Sequence, residues 1–79
     1  MLKYFEHGKV RIKLDEQLEK SGMSKSMFAK CAEMERTQLN RYIKNDVAMV
    51  DLDVLARMCS VLECEISDLL EYVPPEKGE

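Results

Sequence analysis

Ser24-Lys25-Ser26-Met27-Phe28-Ala29-Lys30-Cys31-Ala32-Glu33-Met34-Glu35-Arg36-Thr37-Gln38-Leu39-Asn40-Arg41-Tyr42-Ile43-Lys44 is the stretch on which the reading of this chain turns. Ser24 is a good N-cap, because its hydroxyl can accept from the exposed N–H groups of a following helix. The spacing predicts that helix over residues 25–32. Phe28, Cys31 and Ala32 form its apolar face. Ala29 also points inward, where a larger side chain would push a neighbouring helix away. Glu33-Met34-Glu35 breaks the pattern as a tight three-residue turn with Met34 as its buried anchor and Glu35 as a weak cap. A second helix is predicted over residues 36–44. Leu39 and Ile43 share its core face at i, i+4, with Tyr42 half-buried beside them. Arg36, Thr37, Gln38, Asn40, Arg41 and Lys44 occupy the remaining surface.

Working outward, residues 9–14 alternate. Val10, Ile12 and Leu14 are apolar, and Lys9, Arg11 and Lys13 are basic. Period two predicts a strand with one apolar and one wet face. A lone strand needs a partner. Tyr72-Val73 can supply part of it but is cut short by Pro74, so the remaining demand is expected to be met by the same strand of a second copy, antiparallel across a two-fold axis. That pairing makes Val10 and Ile12 a dimer interface. A short helix is predicted over residues 15–21, with Leu14 and Leu18 on one face and Gly22 as its stop. After the turn formers Asn45 and Asp46, Asp51 caps a helix over residues 52–62, whose stripe is Leu52, Leu55, Met58, Cys59 and Leu62. Ile66, Leu69 and Leu70 point to a last helix over about residues 67–71. Pro74-Pro75 ends regular structure and leaves a tail at 74–79.

With 79 residues the chain holds one domain, residues 1–79, with its core at about 9–73. No stretch approaches the roughly 20 apolar residues of a membrane span, and no apolar run near the start forms a signal peptide, so a cytoplasmic location is expected. Cys31, Cys59 and Cys64 are odd in number and lack a Cys-x-x-Cys spacing, and His7 is the only histidine. No disulfide framework, metal centre, cofactor, nucleophile–base pair or other enzymatic constellation is therefore expected. Cys31 and Cys59 read as small core-filling thiols. The net charge of −3 is unevenly placed: residues 24–45 carry a net +3, and residues 63–79 a net −5. Beyond a Debye length of about 8 Å the acidic end is largely screened, so a basic face can still hold an anionic polymer.

Two short helices across a tight turn form a helix-turn-helix, whose second helix can enter a DNA major groove about 12 Å wide. Three segments resemble the Cro and lambda-repressor type, also called the xenobiotic-response-element (XRE) family: residues 22–29, 34–43 and 52–59. The ending at residues 62–74 resembles a compact branch of that family. The likeness covers about residues 12–74. It implies an all-α, five-helix, lambda-repressor-like DNA-binding domain, here with a short N-terminal β-strand. It also implies a transcriptional repressor that binds double-stranded DNA as a homodimer.

By position in that family, Arg36, Thr37, Gln38 and Asn40 are expected to read base edges. Arg can fork onto guanine, and Asn or Gln onto adenine. Arg41 and Lys44 are expected to contact phosphates. So is Lys25, at the start of the bracing helix where the family usually has Gln. Glu33 stands where the family has Gly, and a positive φ there costs on the order of 1 kcal/mol. Glu35 stands where Ser, Thr or Asn is usual. The alternative is a protein-interaction module, antirepressor- or antitoxin-like, that keeps the fold but not the ligand.

Overall fold

Ile12 and Leu14 both enter the core, yet one ends a strand and the other begins a helix. The computed structural model describes residues 7–75. Its elements are β1 (Lys9–Ile12), α1 (Leu14–Ser21), α2 (Lys25–Cys31), α3 (Arg36–Ile43), α4 (Leu52–Leu62), α5 (Ile66–Leu69) and β2 (Leu70–Val73). The five expected helices are present. The last residues of the expected tail, 76–79, lie outside the described residues.

The strand finds its partner within the chain along its whole length, which corrects the expectation that a second copy would supply most of that pairing. β1 and β2 pair antiparallel, with Lys9 opposite Val73, Val10 opposite Tyr72, Arg11 opposite Glu71, and Ile12 opposite Leu70. The helix expected to run to residue 71 therefore stops at Leu69. Leu70 has extended backbone (φ −120°, ψ 143°), because it must join the ladder opposite Ile12. On the outer face, Arg11 bridges Glu16 at 2.7 Å and Glu71 at 3.3 Å. Its guanidinium, by direct hydrogen bonding, holds the Glu16 carboxyl below the usual carboxylate range.

Capping residues set the helix limits. Gly22 ends α1 in the left-handed region at φ 77°, where an L side chain is strained. The Ser24 hydroxyl accepts from the Met27 N–H at 3.1 Å, and the Asp51 carboxylate from the Asp53 N–H at 2.8 Å. Glu35 makes no side-chain cap, which corrects the expectation placed on it.

Phe28, Leu14, Leu39, Met58 and Leu69 are the largest fully buried side chains, drawn from α1 to α5. Burying each contributes roughly 1.5–3 kcal/mol. α1 lies at the centre, against α3, α4 and α5, while α2 packs on α3. Ala29 and Ala32 are buried, as their size foretold. Three assignments shift. Cys31 lies on the exposed side of α2 instead of the core. Leu52, placed on the α4 stripe, is 79% exposed in the first turn of that helix, and Val54 takes an inward position instead. Tyr42 is fully in the core instead of half-buried.

Ile12 also requires correction. It is 4% exposed and belongs to the core cluster, so its side chain is not available to a second copy. Ile12 lies over the helices, while Val10, two residues earlier on the same face, extends beyond them and is 58% exposed. The backbone of Ile12 is engaged as well. The Asn45 side chain accepts from its N–H at 2.6 Å and donates to its carbonyl at 3.0 Å.

Candidate nucleic-acid interface

The position of α3 is fixed by residues turned away from its solvent face. Leu39 and Tyr42 are buried and Ile43 packs against the core, so α3 is held by one face. The other face is set by the 3.6-residue period. It presents Arg36, Thr37 and Arg41 exposed, with Gln38 and Asn40 half-exposed. Lys44, the C-cap residue, is exposed beyond the last turn, and Lys25 is exposed at the first residue of α2. All seven side chains expected to meet DNA thus have solvent-facing area on the two helices of the motif or at their ends.

Two hydrogen bonds shape this surface. Arg36 donates to the Ser26 hydroxyl at 3.3 Å, so its guanidinium crosses from the start of α3 to the first turn of α2. Arg41 donates through Nε to the carbonyl of Asp46 at 3.3 Å, which leaves its remaining N–H groups free to turn outward. Among the described residues, the ion pairs are made by Arg11 and Arg57, and none involves Lys25, Arg36, Arg41 or Lys44. Among those residues, no carboxylate pairs with these four cations. Beside them, α3 and the loop that follows enclose a shallow cleft lined by Gln38, Arg41, Tyr42, Val47, Met49 and Asp51. Met49, at 85% exposed, stands out from that loop.

The turn between the helices reaches its shape without glycine. Glu33 has φ 56°, the positive value that its position in the motif called for, at a cost on the order of 1 kcal/mol. Met34 is buried and its N–H donates to the Ala29 carbonyl at 2.8 Å. Arg57 of α4 then closes the turn from below. It donates to the Ala32 carbonyl at 2.7 Å and to the Glu33 carbonyl at 3.4 Å, and it pairs with Asp53 one turn earlier. Residues 13–75 match the Cro/C1-type HTH DNA-binding domain family.

The chain belongs to that family. The helix pair α2 and α3 and the turn between them lie within the matched residues of this Cro/C1-type domain. The crystal structure of the transcriptional regulator VanUg (form II) has the same fold, with a TM-score of 0.71 and 24% identity over 95% of this chain and 99% of that one. No curated protein matches the chain.

Two contributors to this surface escaped the sequence reading. Arg57 follows Asp53 at i, i+4, a spacing that signals only a surface ion pair. Nothing local marks its second task of holding the turn. Asn45 reads as a turn former, which it is, at φ 62°. Its grip on Ile12, 33 residues away in sequence, has no local signature.

Proposed function

We propose that this Cro/C1-type domain is a transcriptional repressor that binds a specific double-stranded DNA site as a homodimer. One observation carries the reading: a basic and amide surface, Arg36, Gln38, Asn40 and Arg41, with no ion pair among the described residues, on a helix fixed by its buried Leu39 and Tyr42. Arg36, Thr37, Gln38 and Asn40 read base edges, while Lys25, Arg41 and Lys44 bind phosphates and fix the register. Repression then follows from occupancy of the site. Two such helices related by a two-fold axis, roughly 34 Å apart, read a palindrome on one side of the duplex. The exposed Val10, opposite the exposed Tyr72, is the apolar surface that such a pairing would use. Selection of bound sequences from random duplex DNA tests the reading. A shared palindromic motif supports it, and a flat pool overturns it.

A second reading draws on the exposed Glu33 and Glu35, which put two carboxylates beside the motif. An interaction module that holds a basic partner protein through this turn predicts the flat pool and no protection of DNA.

A further inference from the structure

The end of α4 brings two of the three cysteines together. Glu63 leaves the helix in the left-handed region at φ 52°, and two reverse hydrogen bonds close behind it. The Cys64 N–H donates to the Cys59 carbonyl at 3.1 Å, and the Glu63 N–H to the Ser60 carbonyl at 3.3 Å. This nested pair defines a Schellman ending, in which the residue after the left-handed one folds its side chain back onto the residue five positions earlier. In most helices that contact joins two apolar side chains. Here both positions are cysteine. Cys59 and Cys64 are half-buried, whereas Cys31 is exposed on α2. The chemical environment agrees with the backbone: burial first, and then the adjacent Cys59 thiol, push the Cys64 thiol above its ordinary value.

We propose that Cys59 and Cys64 are a modification site, an adjacent thiol pair that closes to an intrachain disulfide across the end of α4. The oxidant is a small-molecule disulfide such as oxidised glutathione. The Cys59 thiol loses its proton and attacks one glutathione sulfur, which breaks that S–S bond and releases one glutathione thiol. The Cys64 thiol, deprotonated in turn, attacks Sγ of Cys59 in the mixed disulfide and expels the second glutathione. The protein thiols lose two electrons and two protons, and one oxidised glutathione becomes two reduced ones. A disulfide needs its Cα atoms about 4.4–6.8 Å apart, and the backbone bond from Cys64 to Cys59 holds them close before any oxidant arrives. The reading face on α3 takes no part in the reaction.

The test is oxidation of the folded full chain with excess oxidised glutathione, then alkylation of the remaining thiols and intact-mass and peptide analysis. The result expected is loss of the Cys59 and Cys64 thiols with no glutathione on either, a mass lower by two hydrogens before alkylation apart from any glutathione carried by Cys31, and a single crosslinked peptide pair joining Cys59 to Cys64. Cys31 is the internal control and remains alkylatable or carries a glutathione. In Cys64→Ser the crosslink is gone. Three alkylatable thiols after long exposure, or a stable glutathione adduct on Cys59 with no crosslink, overturns the proposal. So does a crosslink that forms equally fast in urea, because the folded helix ending would then not be its cause.

Discussion

Asn45 and Ile12 form a two-point clamp. The amide oxygen of Asn45 takes the Ile12 N–H at 2.6 Å, and its amide nitrogen donates to the Ile12 carbonyl at 3.0 Å. A side chain thus imitates a third strand over one residue. It ties β1 to the end of α3, because Asn45 follows directly on the last turn of that helix. It also occupies the edge of β1 on which an incoming strand would need to pair.

Asn45→Gly isolates the clamp, since glycine accepts φ 62° without strain. Two hydrogen bonds disappear and the half-buried Ile12 amide groups lose their partners. The expected cost is about 1–3 kcal/mol in urea unfolding, with faster amide exchange at Ile12. An unchanged midpoint, with Ile12 still protected, removes the clamp from the stability of the fold.

The base-reading assignment separates from simple charge by comparing two DNAs. Arg36→Ala or Asn40→Ala should cost about 1–3 kcal/mol on the selected site and much less on unrelated duplex. Equal losses on both turn that residue into a phosphate contact. Arg36→Ala also frees the Ser26 hydroxyl it now binds, so Ser26→Ala serves as the control for that contact.

Salt dependence counts the phosphate contacts. Lys25, Arg41 and Lys44 supply three per subunit and six per dimer, so log affinity against log salt should fall with a slope of about −5. Lys44→Ala lowers the slope by about 2 in a dimer. A slope near zero removes these cations from the interface.

Much of this was legible because short-range rules decided it. Ser24, Gly22 and Asp51 stop or start helices by hydrogen bonds to groups within four residues, so α1, α2 and α4 were placed nearly to the residue. Periodicity put Leu39 inward and Arg36 outward for the same reason. What failed needed distant information. Leu52 fits the α4 stripe but stands in the first turn, 79% exposed, where no neighbouring element covers it. Cys31 fits the α2 stripe yet is exposed. Leu70 continues a helical pattern, but pairing with Ile12 draws it into a strand.

Arg57 gives a prediction for the turn. Its guanidinium holds the Ala32 and Glu33 carbonyls beneath a residue in the left-handed region. Arg57→Ala leaves both acceptors without that donor and should cost about 1–3 kcal/mol of stability, with weakened binding on any DNA. Glu33→Gly in the same background should recover part of the loss, because glycine relieves the positive φ. No recovery there means that backbone strain at residue 33 is not what Arg57 offsets.

The dimer is tested at Val10. Replacing Ile12 by a charge is uninformative, because its side chain is core and the variant would unfold. Val10→Asp keeps the strand and places a carboxylate on the 58% exposed ridge opposite Tyr72. The fold should survive, since Val10 buries little. If two copies meet across this face, the carboxylates of a two-fold dimer face each other and repel. Sedimentation at micromolar concentration should then show a dimer for the wild type and a monomer for Val10→Asp. Specific DNA affinity should fall steeply in the variant, because each half-site binds alone. Far-ultraviolet circular dichroism should stay unchanged. A wild type that sediments as a monomer removes the homodimer from the proposal. A Val10→Asp variant that stays dimeric moves the interface to another surface, and the exposed Met27 on α2 and Leu52 on α4 are the next residues to charge.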